Sequence, residues 1–351
     1  MIETLAVGAD ELRSCVENVF QAYGLPPEDA WVVADNRVDA DLRGVHSHGV
    51  WRVAPYVEML RQGTAVAQPS LTWVRDEGPQ AVLDAGRALG QVGALAAVRE
   101  LLARAGRFGL AAIAVRNNTH IGTLAYWARM AAGAGCVGIV VSNAGIHMAP
   151  WGGREKLVGN NPLAIAAPTA RGWALALDMA MSVAAGGKIT VAKLRGTEVP
   201  LGWGLDTQGR PTTDPHAVHS LLPMGAHKGY GLAVMLDVLA GVLSGGRFGA
   251  MLGLPGHSQF LLALQIERYL PLAEFYLRLD QVIDQIQESP PAVGGERLYL
   301  PGEIEQELRQ RRLHEGIPLD AATLDSLRQE SDRAGVAWEL QPVRTADRSY
   351  V

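Results

Sequence analysis

Helical periodicity fills the first 63 residues, gives way at about Ala65 to short β-rich runs split by glycine and proline, and returns after about Leu270. No other feature constrains the fold as much as this order. Leu12, Val16, Val19, Phe20 and Tyr23 share one helical face, and Gly24 follows as a stop. Pro26 and Pro27 with Glu28 and Asp29 open a second helix, which passes through Ala30, Val33 and Ala34 towards Leu42. A third starts near Val53, carries Tyr56 and Leu60, and stops at Gly63. The β-rich runs are Leu71–Val74, Ala81–Leu83, Ala111–Val115, Val137–Val141, Leu163–Ala166 and Trp173–Leu177. Helices over Val92–Ala105 and Thr123–Ala132 lie among them. Regular βαβ alternation is missing, so the predicted class is α+β rather than a doubly wound sheet. Gly229–Leu243 is apolar nearly all round and reads as a buried helix. The predicted organisation is a helical part over 1–70, an α+β domain over 71–250, and a return segment with C-terminal helices over 251–351 that completes the helical part.

Composition narrows the function classes. Hydrophobic residues make up 48% of the 351 and charged residues 19%, enough for a large core. The net charge is −5 and no block of Lys or Arg stands out, which argues against nucleic acid as a partner. No apolar run reaches the roughly 18 residues of a membrane span. The start, MIETLAVGADELR, has neither a basic n-region nor an apolar h-region. Cys15 and Cys136 sit in unrelated contexts, so the expected location is a reducing cytoplasm. The 40 glycines exceed the usual share of about 7% and point to many close backbone approaches.

One glycine motif is a decoy. Gly133-Ala134-Gly135-Cys136-Val137-Gly138 matches GxGxxG, but a dinucleotide fingerprint runs strand, glycines, helix. Here a helix precedes the glycines and Ile139-Val140-Val141 follows as a strand. The reading adopted is a helix end turning into a strand.

Five polar stretches interrupt the apolar pattern. In Asp41–Arg52, Ser47 precedes His48 and Arg52 lies four residues beyond that histidine. This spacing suits a proton-transfer pair beside a guanidinium fork for a carboxylate, or simply a solvated helix junction. His46 and His48 lack a nearby carboxylate or cysteine to complete a metal site, so no metal is expected. Asn117-Asn118-Thr119-His120-Ile121-Gly122 lies between a strand and a helix, as either an anion-facing turn or a polar turn with Asn118 or Thr119 as cap. Ser142-Asn143, Ala149–Gly153 and Gly159-Asn160-Asn161-Pro162 read equally as turn chemistry. Asp178, at the end of a β-rich run, suits a ribose hydroxyl or a helix cap, and Gly186-Gly187-Lys188 follows it. His227-Lys228 precedes the apolar helix, where a cation opposes the helix dipole unless an anion joins it.

Taken in order, these stretches resemble the malate/L-lactate dehydrogenase family of the second type. That group includes sulfolactate and ureidoglycolate dehydrogenases and the piperideine/pyrroline-2-carboxylate reductases. The matching segments are DLRGVHSHGVWR (41–52), NNTHIG (117–122), APWGG (149–153), GNNP (159–162), LDMA (177–180), LGW (201–203), GAHKGYGL (225–232), GVLSGGRFG (241–249) and LPGE (300–303). The resemblance implies a non-Rossmann, mostly antiparallel NAD(P)-binding sheet domain over 71–250, packed beside a helical domain formed from both chain ends, in a homodimer. It implies hydride transfer between NAD or NADP and the C2 carbon of a small 2-hydroxy/2-oxo acid. On that basis His48 is the acid/base, Ser47 relays or orients its proton, and His120 is the proton acceptor in some relatives. Arg52 grips the substrate carboxylate, and Asn160, Gly186, Gly187 and Lys188 flank the substrate. His120, Ile121, Gly122, Thr123, Leu124, Asn143, Asp178, Met179, Ala180, His227 and Lys228 hold the cofactor, with Pro301 and Gly302 in the further contact Arg297–Glu303.

Several positions depart from the family pattern. Asn160 replaces the usual Thr, Met181 a Thr or Ser, and Ala144 a Ser, while Lys188 matches the hydroxy-acid branch. The stretch from Phe248 to His257 is short, and GHSQFLLAL stands where relatives carry GHFF. The alternatives weighed are reduction of a cyclic or N-alkyl imino acid, a tailoring reductase with a larger substrate, and a binding protein that kept the fold without catalysis.

Overall fold

The computed structural model describes residues 4–252 and 256–343. The chain opens with β1 (Thr4–Val7), α1 (Ala9–Ala22), α2 (Pro27–Leu42), two 3-10 turns (His46–His48 and Val50–Arg52) and α3 (Val53–Arg61). The middle begins with β2 (Thr72–Glu77), β3 (Gln80–Asp84), α4 (Gly90–Phe108), β4 (Leu110–Asn118), α5 (Leu124–Gly133) and β5 (Cys136–Ser142). It continues through β6 (Ile146–Met148), β7 (Val158–Gly159), β8 (Leu163–Pro168), β9 (Ala174–Met179), α6 (Gly186–Arg195), β10 (Gly204–Leu205), β11 (Ser220–Leu221) and α7 (His227–Asp237). A π-helical segment, Val238–Val242, prolongs α7. Then come β12 (His257–Gln265), α8 (Leu272–Gln287), α9 (Glu303–Glu315), β13 (Ile317–Asp320) and α10 (Ala321–Ala334).

A seven-stranded sheet in the order β2-β3-β4-β12-β5-β8-β9 forms the centre. Every pairing in it is antiparallel except β3 with β4, which α4 connects as a single βαβ unit. The helices α4 and α5 pack against the sheet, and α2 packs on α4. The two chain ends meet: β1 pairs with β13, α10 packs on α1 and α3, and α9 on α2. One apolar core runs from Leu12, Phe20 and Val33 through Leu95 and Leu101 to Leu83, Ile113 and Leu261 on the sheet. A second gathers Met148, Met181, Ile189, Leu221 and Ala233 beside the four-stranded sheet β10-β11-β6-β7.

The six β-rich runs and the two mid-chain helices lie where the sequence placed them. The GxGxxG segment is a helix end. α5 closes at Gly133, Gly135 turns the chain with φ 72°, and β5 follows. A Cβ on Gly138 would lie 2.6 Å from the Ala131 Cβ, so glycine there lets α5 rest on the strand.

Two elements differ from expectation. β12 was not read as a strand, yet it sits between β4 and β5 at the middle of the sheet. Its partners lie more than a hundred residues upstream, and a short apolar run does not declare its type by periodicity. The helix over Gly229–Leu243 is only half buried. Gly229, Ala233, Leu236, Ala240 and Gly241 face inward, whereas Met235 and Leu243 remain 56% and 57% exposed.

Candidate active site

The α2–α3 junction and the turn after β4 bring their imidazoles together. The His48 and His120 rings stack with centroids 5.1 Å apart, although the two residues are 72 positions apart in the chain. Ser47 Oγ lies 2.9 Å from His48 Nδ1. Arg52 Nε donates to the Ser47 carbonyl at 2.7 Å, and its guanidinium lies over the Trp51 ring at 4.8 Å. The junction is itself anchored: Asp41 accepts from the Val50 amide at 2.7 Å and pairs with His46 at 2.8 Å, while Arg312 of α9 reaches the Asp41 carbonyl. His46 is thus spent on structure, whereas His48 stacks on His120. Among the described residues, no three His, Cys, Asp or Glu side chains converge as a metal site.

A third histidine joins them. His257 begins β12, and a shift in register between His257 and Gln259 lies at that strand end. Such irregularities re-aim side chains. Its ring stands 6.5 Å from that of His120. Tyr56 of α3 completes the wall, with its hydroxyl 2.6 Å from His120 Nδ1 and 3.0 Å from the His120 carbonyl, to which it can donate. Behind it lie the buried Asn36, Arg37 and Gln91; the Arg37 guanidinium covers the Tyr56 ring at 5.1 Å. Gly122 lets the turn press on α2. Its φ is 83°, and a Cβ would fall 1.9 Å from Asn36 Oδ1.

Desolvation and crowding by cations keep all three imidazoles neutral. Burial first, then Arg52 and Arg37, pushes His48 down to about 3. Burial, then Arg52 and His147, takes His257 to about 4. His120 lies well below its ordinary value, through burial and then through His48, Arg52, Arg37 and His257. The Arg52 guanidinium is itself lowered by desolvation.

The remaining expected residues form a second group around the end of β9. Asp178 Oδ2 accepts from the Ala125 amide at 2.8 Å, capping α5 across the sheet, although Asp178 as a residue stays exposed. Desolvation by its surroundings pushes that carboxyl up to about 6, against the pull of the α5 amides and Arg129. Neither Asn118 nor Thr119 caps α5: Thr123 is its cap residue, and Asn118 donates to the Gly90 carbonyl and to Gln259. Past Met179 and Ala180, the Met181 amide donates to the Asn160 carbonyl at 2.8 Å and its carbonyl accepts from Met224 at 2.9 Å. Through this segment the loop before His227 and Lys228 is tied to β9. Both residues are exposed at the first turn of α7, as Gly186, Gly187 and Lys188 are at the first turn of α6, Gly186 less so. The Pro301 carbonyl accepts from Ala176 on the free edge of β9, and Gly302 immediately precedes α9 as its cap residue. Asn143 spends its side chain on Asp237, the Arg247 carbonyl and the Ser258 amide.

Comparison with known proteins decides the lineage. The family model described as malate/L-lactate dehydrogenase matches residues 7–328. The chain belongs to the malate/L-lactate dehydrogenase family. It is 38% identical to malate dehydrogenase of Pyrococcus abyssi over 342 residues, covering 93% of this chain and 94% of that one. It is 36% identical to ureidoglycolate dehydrogenase (NAD(+)) of Escherichia coli over 325 residues, covering 90% and 93%. Its structure superposes on malate dehydrogenase from Pyrococcus horikoshii with a TM-score of 0.89 at 34% identity, covering 97% and 99% of the two chains. As a malate/L-lactate dehydrogenase family member the chain is an oxidoreductase. The mixed helix-and-sheet architecture is that of the family's solved structures.

Sequence reading missed Tyr56, Gln91, Arg37 and His257 as members of this site. Tyr56 passes for a core residue of α3. The other signals were polar residues inside apolar stretches: Gln91 in LGQVGALAAV and His257 ahead of the β12 run.

Proposed function

We propose that this family member oxidises a small 2-hydroxy acid of the malate or lactate kind to its 2-oxo acid, and catalyses the reverse, with NAD or NADP. The observation that carries the reading is the stack of His48 on His120 beside Arg52. Arg52 presents a fork that matches a carboxylate in two parallel hydrogen bonds. Its brace on the Ser47 carbonyl fixes where that carboxylate sits. The substrate hydroxyl then lies towards the imidazoles, and His48, neutral and oriented by Ser47, takes its proton. A carboxylate on Arg52 also offsets one of the charges that hold His48 down, so binding raises its basicity towards the working range.

The groups around β9 fit a dinucleotide. At the α5 end, Thr123 Oγ1 is buried without a partner. Ile121, Gly122 and Leu124 would line the same side through their backbone. The N-terminus of α7, with His227 and Lys228, suits a diphosphate. Asp178, Met179, Ala180, Asn143, Pro301 and Gly302 would border the rest, and Asn160, Gly186, Gly187 and Lys188 the substrate. When bound, the nicotinamide supplies the hydride acceptor or donor. NAD, the cofactor named for the Escherichia coli relative, is the first to test.

The assembly proposed is a homodimer that covers the exposed flank of α7, in a reducing cytoplasm where Cys15 and Cys136 stay as free thiols. No helix among the described residues is long and apolar enough to cross a membrane.

The experiment assays malate and lactate with NAD and NADP, and pyrroline-2-carboxylate with the reduced cofactors. Turnover of a 2-hydroxy acid that His48→Ala abolishes, with cofactor affinity intact, is the expected result. Full turnover by His48→Ala, or turnover of the imino acid alone, overturns the reading.

A further inference from the structure

The two stacked histidines do not have equivalent hydrogen-bond partners. His48 Nδ1 faces the Ser47 hydroxyl, which both donates and accepts. His120 Nδ1 faces the Gly122 amide at 3.3 Å, which only donates. It also faces the Tyr56 hydroxyl at 2.6 Å.

The direction of the Tyr56 proton follows from its neighbours. Gln91 Nε2 lies 3.4 Å from Asn36 Oδ1, 3.4 Å from the Tyr56 hydroxyl and 3.3 Å from the His120 carbonyl. The last is a backbone acceptor, so the nitrogen end of the Gln91 amide must face this group. Asn36 Oδ1 also accepts from Arg37, which fixes its own orientation. Gln91 thus turns its N–H donors towards the His120 carbonyl, Asn36 Oδ1 and the Tyr56 oxygen, while the Tyr56 hydroxyl lies within reach of both His120 Nδ1 and the His120 carbonyl. If His120 carried its proton on Nδ1, that N–H would point at the Gly122 N–H. With Nδ1 bare, the Gly122 amide has its acceptor, and the Tyr56 hydroxyl at 2.6 Å is the second donor to that nitrogen.

We propose that Tyr56 and Gln91 are positioning residues that lock His120 as the Nε2–H tautomer, making it a fixed neutral hydrogen-bond donor to the substrate oxygen and leaving proton exchange to His48.

Donors aimed at Nδ1 stabilise the neutral ring and oppose its protonation. The charged and titratable groups facing His120 act the same way: Arg37 from α2, His48 and Arg52 from the 3-10 turns, and His257 from β12. Tyr56 faces it from α3 through its hydroxyl. A neutral imidazole that polarises a carbonyl through Nε2–H keeps one geometry through the cycle, whereas His48 can exchange tautomers through Ser47. This assignment rests on the proposed 2-hydroxy acid chemistry for its purpose, but not for its geometry.

The test reads the ring directly. Ring-nitrogen NMR of the whole protein, labelled with 15N-histidine and assigned with His120→Gln, should show Nε2–H for His120 and no titration between about pH 5 and pH 8. In Tyr56→Phe the Nδ1–H form should appear and His120 should begin to titrate. The same variant should lose about tenfold to a hundredfold in kcat/KM with cofactor affinity unchanged, and the acid limb of its pH profile should move. An Nδ1–H signal in the unmodified protein, or a Tyr56→Phe protein whose His120 spectrum does not change, overturns the proposal. Absence of all 2-hydroxy acid turnover alongside a locked Nε2–H would overturn the functional reading and leave the lock standing.

Discussion

At the scale of single residues, the site is organised by cost. Three imidazoles lie in one cluster, and none is charged at neutral pH because burial and nearby guanidinium groups oppose it. That preference is also a stability statement. His257 moves from 6.5 to about 4 on folding, so the stability linked to it is present above pH 6.5 and lost as the pH falls towards 4. Unfolding free energies from urea titrations at about pH 7 and about pH 4.5 should differ by less in His257→Gln than in the unmodified protein, by about 2–3 kcal/mol. Equal losses in both proteins would show that His257 is not held neutral. The sequence made Ser47, His48, Arg52 and His120 legible because each lies in a polar run that breaks an apolar pattern. It did not reveal Tyr56 or His257, whose roles come from partners 64 and 137 residues away that no local pattern records.

At the scale of elements, the fold places these residues by close approach rather than by a glycine-rich phosphate loop. β12 arrives late in the chain, fills the gap between β4 and β5, and delivers His257 at its first residue. The helices around it were readable from caps and periodicity, but the strand was not, since pairing over such distances leaves no local mark. The entry to α7 is the strained joint. Ala226 has φ 59° and ψ −123°, a conformation glycine adopts far more easily than alanine. The strain turns the chain sharply so that His227 and Lys228 begin the helix beside the β9 end. Ala226→Gly should therefore raise the thermal midpoint, by about 1 kcal/mol in stability, since relief of strain exceeds the added entropy of a glycine. A lower midpoint in a melting experiment would mean that the backbone there is unstrained.

At the scale of the whole molecule, the apolar flank of α7 and its π-helical extension asks for a cover that one chain does not provide. The sequence between Gly229 and Leu243 reads as fully buried, and its inner side is, against β5, β7 and β12. On the other side Val234, Met235, Val238, Val242 and Leu243 remain exposed together, with no charged side chain among them. An exposed apolar patch of this continuity marks an association surface. In a homodimer the same patch on both chains meets itself, which satisfies the pattern without a second protein. The proposed dimer makes a clear demand on solution mass. Sedimentation should give twice the chain mass for the unmodified protein. Met235→Glu with Leu243→Glu should give the single-chain mass, because two carboxylates per chain would be desolvated against apolar surface. Both sites stand on exposed positions, so the helix itself should persist and far-ultraviolet circular dichroism should change little. An unmodified protein that sediments as a monomer would overturn the dimer, and a double variant that remains a dimer would place its interface elsewhere, either way leaving the apolar character of this helix without a partner.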